Sequence, residues 1–385
     1  MIDMYTENQK ISRRQVFRLF VFDFLGIGMI VLPGILAQNV GTYGLVSIAI
    51  GGAAGAIFLW YLARCSSILQ TDLQAFLMNQ EQFAAGKKLV AGVLSIVTLI
   101  GAGFVGAVLS DLIRKSLIRE ETFGVIWILT LAVAIYAVHS GLEIRARVYE
   151  VLFWFVVAPL VFMLLLAARG MEASNFAVRV DTSAGGVASA AYPVILVFES
   201  MLAILFLPDR VISSGDKKYE NSFIRPVAAA YCITLVIVFG AYAVLLGNFG
   251  AKSLADMRYP VVTLMSAIRM EGGFFKRLDA LMLSVWFFTL FALLSMQLYY
   301  GTRLLDCLGQ KEYHRARLIV AYLAIFALGM RIGTDGQQWN YLNRFFHYIQ
   351  GPLYLLLPAV CVWLKSKGGN GVKAAYKTKR RETSK

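Results

Sequence analysis

Charge is what this chain has least of: Asp, Glu, Lys and Arg make up 16% of its 385 residues, against 58% hydrophobic ones. With a mean hydropathy of +0.66, that balance excludes an ordinary soluble globular domain and points to an all-α integral membrane protein. Histidine is also scarce. His139, His314 and His347 share no ligand spacing, so no metal site is indicated. The four cysteines, Cys65, Cys232, Cys307 and Cys361, contain no CxxC pair and stand in or beside apolar stretches, which argues against a disulfide framework and a zinc site. A Walker loop, a nucleophile elbow and paired carboxylates are absent too. Nothing therefore indicates an enzyme, a catalytic residue or a cofactor.

What the chain does have is a succession of apolar runs joined by short connections. Ten are close to the roughly 20 residues a helix needs to cross a bilayer, at about 14–37, 42–63, 89–113, 122–139, 146–168, 186–207, 225–247, 277–300, 316–330 and 342–364. The first is too long for a cleavable signal and lacks a small-residue cleavage pattern, so it is expected to remain in the protein. Two connections, Ile68 to Ala85 and Ser253 to Met270, mix apolar and polar residues at helical spacing and read as helices lying along the interface. The organisation expected is a short cytoplasmic segment (1–10), one ten-helix membrane domain (11–364) and a basic cytoplasmic tail (365–385). The glycines of spans two and three, Gly51, Gly52, Gly55, Gly101, Gly103 and Gly106, read as small faces for close helix packing.

The net charge of +14 is not spread like a nucleic-acid surface, because the tail from Lys365 to Lys385 alone carries eight Lys/Arg and one Glu. With both termini cytoplasmic, the inside segments hold 25 of the 37 Lys/Arg and the outside ones 12. The partners implied are the bilayer and no nucleic acid.

Two places carry polar chemistry at membrane depth. In the first run stands Leu25-Gly26-Ile27-Gly28-Met29-Ile30-Val31-Leu32-Pro33, where two glycines and a proline predict an interrupted helix with exposed backbone groups. In the sixth, Phe198-Glu199-Ser200 puts a carboxylate halfway across, followed by Leu207-Pro208. Burying an acid there costs roughly 2.5–3.5 kcal/mol, so Glu199 is a candidate substrate or proton site. Five spans separate the two breaks and their directions are opposite, the pointer to an inverted-repeat transporter site near the midplane. Half-helix N-termini would attract an anionic group and unwound carbonyls an ammonium, a combination that suits an amino acid. Asp23, one turn before the glycines, is a second candidate for a proton or ammonium, or it pairs with a basic residue such as Arg18 or Arg147.

The glycine motif in the first span resembles the amino acid/polyamine/organocation transporter superfamily. Within it, the whole chain resembles the spore germination permeases, the B subunits of nutrient germinant receptors. That narrower likeness rests on Ile11-Ser12-Arg13-Arg14-Gln15, the Phe-Glu and Leu-Pro of span six, Tyr259-Pro260, and Phe275-Lys276-Arg277-Leu278-Asp279 leading to Trp286. The resemblance implies a LeuT-type 5+5 inverted repeat with discontinuous helices 1 and 6. It also implies a subunit in the inner membrane of the spore that senses a nutrient and signals through a larger A subunit and a lipoprotein C subunit. Carried over to this chain, the ligand would meet Gly26, Ile27 and Gly28 together with Phe198, Glu199 and Ser200, with Phe104 and Thr289 completing the pocket by position. Some proton-coupled relatives carry a mid-membrane lysine in span five; here that region reads Phe155-Val156-Val157-Ala158-Pro159. The alternative function is a proton-coupled amino acid or polyamine permease working by alternating access.

Overall fold

The computed structural model describes residues 10–79, 83–116, 122–177, 182–208, 210–212, 223–257, 259–267, 278–309, 313–334 and 338–382. Apart from one isolated backbone bridge the described residues are helical: α1 (Arg13–Val40), α2 (Gly44–Leu69), α3 (Leu73–Met78), α4 (Ala84–Ser116), α5 (Phe123–His139), α6 (Gly141–Ala167), α7 (Ser174–Ala177), α8 (Ala184–Val197), α9 (Ile224–Asp256), α10 (Pro260–Ala267), α11 (Leu278–Leu305), α12 (His314–Thr334), α13 (Gln338–Phe345) and α14 (Gly351–Glu382). A short 3-10 helix, Glu199–Phe206, follows α8, and a π segment, Phe346–Gln350, joins α13 to α14. Among the described residues, seven helices are long and apolar enough to cross a membrane, or eight if α8 and the 3-10 segment form one bent span; α5 is a shorter apolar helix. The protein is a multi-pass membrane protein. The two connections expected to lie along the interface contain the short helices α3 and α10.

Local sequence sets the ends of these helices. Ser12 opens α1 with a capping box, its Oγ accepting from the Gln15 amide while Gln15 Oε1 accepts from the Ser12 amide. Just before it, Ile11 donates its N–H to the Arg210 carbonyl and accepts from the Ile212 amide, which ties the start of α1 to the segment after the 3-10 helix. At the C-terminus of α2, Lys365 Nζ donates to the Leu69 carbonyl at 2.7 Å and also bonds that of Ile68, so a basic residue satisfies the orphan carbonyls of the last turn.

The expected break in the first span is not there. α1 runs as one helix through Gly26, Gly28 and Pro33. A helical glycine costs only about 1 kcal/mol, and here the lost side chains allow close approach. A Cβ at Gly26 would stand 3.0 Å from the Thr289 carbonyl oxygen of α11, and one at Gly28 would collide with the Val197 side chain of α8. The break in the sixth span is real. α8 stops at Val197, Phe198 sits at φ −95°, ψ 21°, and the 3-10 segment leaves at 40°.

The helices fall into two groups. α1, α2, α8 and α9 pack on one another, α4 packs on α11 and α12, and α5 on α11 and α12, while α6 and α11 both touch α1. Glycine sets the spacing within each group. Gly51 fits beneath Val194, Gly52 beneath Leu235 and Gly55 beneath the Tyr231 hydroxyl, which donates to the Gly52 carbonyl. The fully buried Trp127 lies between Gly106 of α4 and Gly329 of α12 and donates its indole N–H to the Phe326 carbonyl at 3.0 Å.

This packing predicts a contrast between glycines. Gly106→Leu is expected to cost about 1–3 kcal/mol through overpacking, since its side chain meets the indole directly. Gly240→Leu, where a Cβ meets nothing within 4 Å, leaves stability unchanged. Melting temperatures of the two purified variants in one detergent check this, and equal values would contradict it.

Candidate functional site

The break after α8 decides where polar groups can gather. Ending the α-helix at Val197 turns Glu199 and Ser200 inward, 8% and 2% exposed. Glu199 accepts two hydrogen bonds: Gln297 Nε2 of α11 reaches Oε1 at 3.1 Å, and Gln350 Nε2, at the end of the π segment, reaches Oε2 at 2.8 Å. No Lys or Arg forms an ion pair with Glu199 among the described residues. Its two partners are neutral amides.

Glu199 also borders two cavities. The first, with about 40 Å³ for the centres of water-sized molecules, lies toward the start of α1 and is lined by Glu199, Ser200, Ala203, Gln297, Tyr300 and Thr98 among others. The second, with about 50 Å³, lies toward the other end of α1 against Val31, Ile35, Pro193, Val197, Phe346 and His347. In the first, Thr98 Oγ1 and the Tyr354 hydroxyl are 2.8 Å apart and satisfy each other, whereas Ser200 Oγ, Tyr300 Oη and Gln297 Oε1 are buried without a partner among the described residues. This cavity has an apolar wall and unsatisfied polar groups, the composition of a small-molecule site.

The residues expected around a ligand are thus only partly assembled. Glu199 and Ser200 line the first cavity. The Phe198 ring packs edge-on against Phe24 at 5.3 Å and Tyr231 at 4.7 Å, closing the core beside the break. Gly26 and Gly28 are occupied by helix contacts, and the Ile27 side chain lies outside the described ones. Phe104 stacks on Phe345 at 5.1 Å, and Thr289 Oγ1 bonds the Trp286 carbonyl at 3.2 Å; neither lines these cavities. Of the Phe275–Asp279 motif, residues 275–277 and the side chains of Leu278 and Asp279 lie outside the described ones. Sequence reasoning passed over Gln297 and Gln350, although a glutamine inside an otherwise apolar run is itself a signal.

Asp23 pairs with neither Arg18 nor Arg147. Arg18 bonds the Glu150 carbonyl at 3.0 Å, and Arg147 pairs with Glu143. The partner of Asp23 is Arg145, whose Nη2 lies 2.5 Å from Oδ1 and 2.9 Å from the Ala292 carbonyl, while its Nε donates to Ser295 Oγ at 3.1 Å. Arg145 was missed because α6 starts at Gly141, five residues before the expected span, which moves it from a loop to a helix interior where it is 5% exposed. The ion pair joins α1, α6 and α11, and a buried charge of each sign is thereby neutralised.

A model of the family described as spore germination protein matches residues 10–337. The chain is similar to spore germination protein B2 of Bacillus subtilis (strain 168), 24% identical over 385 residues that cover 96% of this chain and 99% of that protein. It is likewise similar to spore germination protein KB of the same organism, 24% identical over 399 residues and covering 98% of each. Among solved structures, a mutant manganese transporter of Eremococcus coleocola matches 91% of this chain and 78% of its own, with a TM-score of 0.56 and 16% identity, a likeness of fold.

The ion pair yields a test. Arg145→Ala leaves Asp23 buried without its counter-ion and is expected to destabilise the protein by about 3–5 kcal/mol. The double variant Asp23→Asn/Arg145→Gln recovers much of that loss. A double-mutant cycle on melting temperature measures the coupling, and additive losses would show that the pair does not act as a unit.

Proposed function

The chain belongs to the spore germination protein family, and we propose that it is the nutrient-sensing membrane subunit of a spore germinant receptor. In this reading it binds a small amino acid near the bilayer midplane beside Glu199, and signals through a larger membrane A subunit and a lipoprotein C subunit. It resides in the inner membrane of the spore with both termini cytoplasmic. The names of its relatives and its length, nearly that of each, support the assignment.

The architecture we propose is ten spans in two inverted five-helix repeats. Its support is the symmetry of the packing. Matching α1 with the bent sixth span, α2 with α9, α4 with α11 and α5 with α12, the contact of α1 with α9 answers that of α2 with α8, and the contact of α4 with α12 answers that of α5 with α11. Of the two discontinuities expected, in helices 1 and 6, the one in the sixth span is present and α1 is continuous.

The observation that carries the function is a buried carboxylate without an ionic partner among the described residues, bordering a cavity with unsatisfied hydroxyl and amide oxygens. In the bilayer interior such groups are costly unless something occupies them. A second reading, a proton-coupled permease, is favoured by one feature: cavities lie on both sides of Glu199, as alternating access requires.

Thermal-shift screening of the purified protein against the common amino acids tests the site. A hit is expected to stabilise the wild type and to lose its effect in Ala203→Phe, which fills the first cavity; undiminished stabilisation of that variant would place the ligand elsewhere. Uptake of the hit into proteoliposomes under a proton gradient separates the two readings. Little uptake is expected from the receptor subunit alone, and rapid gradient-driven accumulation would favour the permease.

A further inference from the structure

Gln297 and Gln350 stand opposite each other across Glu199, one from α11 and one from the π segment. Each is satisfied at only one end. Each glutamine turns its Nε2 toward the carboxyl group, and this sends both Oε1 atoms the other way. Both carbonyl oxygens are buried without a partner among the described residues, in side chains 1% and 0% exposed. The two amides also meet beside Gly101 of α4: the point at which its Cβ would stand is 2.8 Å from Gln350 Oε1 and 3.3 Å from both Oε1 and Nε2 of Gln297. One turn back along α4, Thr98 lines the same cavity as Gln297 and Glu199.

What this arrangement lacks is specific in kind. Among the described residues the unpartnered groups around the carboxylate are the two amide carbonyls, which only accept, and the Ser200 and Tyr300 hydroxyls, which accept or donate; no cation among those residues balances the carboxylate. A second carboxylate would add acceptors and like charge, and an alcohol would bring a single donor and no charge. A group that only donates and carries positive charge fits. We propose that Glu199, Gln297 and Gln350 form a subsite for the ammonium group of the ligand, in which the two glutamines are the residues that determine specificity.

The apo arrangement shows how the exchange works. The two Nε2 groups occupy the places an ammonium's N–H donors would take on the carboxylate. When a primary ammonium enters from the first cavity it displaces one or both, and the freed glutamines turn their carbonyls to its remaining hydrogens. No covalent step is involved, and the three ammonium N–H donors face the carboxylate and the two amide carbonyls. Secondary and tertiary amines lose one or two of these bonds, so the subsite selects primary amines. Because Gln350 ends a π segment, the kind of helix irregularity found at functional sites, its displacement acts directly on the start of α14.

The inference rests on the reading that the ligand sits beside Glu199. Its test uses three solutes of nearly one shape, isobutylamine, isobutanol and isobutyrate, titrated against the full-length protein in nanodiscs while melting temperature is followed. Isobutylamine is expected to stabilise the wild type and the other two are not. Gln297→Leu and Gln350→Leu should each weaken the amine about tenfold, the consequence of losing one hydrogen bond to a charged group. Gln297→Asn and Gln350→Asn, which keep the amide but shorten it, serve where a leucine variant does not fold, and are expected to weaken the amine as well. Equal stabilisation by isobutanol or isobutyrate overturns the proposal, as does unchanged amine affinity in the glutamine variants. Competition by sodium or potassium chloride at matched ionic strength would make this a metal-cation site instead, and no response to isobutylamine overturns the proposal outright. If isobutanol or isobutyrate binds and Ala203→Phe abolishes that binding, the cavity reading stands and the ammonium assignment falls. If Ala203→Phe leaves the amine's effect intact, both fall.

Discussion

Every polar group that this chain carries into the bilayer has to find its partner inside the protein, because the hydrocarbon offers none. That constraint separates the two places that look equally broken in sequence. At Gly26 and Gly28 the helix keeps its backbone hydrogen bonds, and only side chains are given up, to let α11 and α8 approach. At Phe198 the α-helical ladder is lost, and the chain reconnects through tighter 3-10 bonds such as Met201 N–H to the Phe198 carbonyl at 3.0 Å. The inward turn at this one point places Glu199 where two helices can supply amides to it.

Charge is handled in two ways at this depth. Asp23 is matched with Arg145, which is held in turn by Ser295 and by the Ala292 carbonyl, so a guanidinium is anchored between α1 and α11. The α6 stretch Phe155–Pro159 carries no charge, yet the same helix brings a buried cation to α1, from a position near its start. The pair fastens together the groups of helices that α1 and α11 represent. It holds the frame against which the cavities beside Glu199 are defined.

Much of this was legible in the sequence. Hydrophobic run length located the helices, since each run can bury itself only as a helix, and a carboxylate in the middle of one singled out Glu199, which is buried between two amides. The glycine faces of α2 and α4 were readable as packing surfaces, and Gly52 and Gly106 act as such. What could not be read is whether a glycine pair ends a helix or thins it, because that depends on the neighbour that fills the space, here Val197 and Thr289. Pairing was equally hidden. Choosing Arg145 over Arg18 and Arg147 for Asp23 requires the start of α6 and the rotation of three helices, and a sequence contains neither.

The two carboxylates are both buried but differ in their partners, a guanidinium for Asp23 and two neutral amides for Glu199. Replacing Arg145 beside Asp23 by an incoming cation means breaking a buried ion pair and stranding a guanidinium, a change of several kcal/mol. Replacing an amide beside Glu199 means exchanging one neutral donor for a charged one, which the carboxylate favours. In the proposed reading Asp23 therefore serves structure and Glu199 is the exchangeable group. With α1 continuous through Gly26 and Gly28, the site we propose is built from side chains on the bent sixth span, α11 and the π segment. A site built from side chains can be retuned by single substitutions without disturbing the helix ladder, so its ligand preference is separable from its fold.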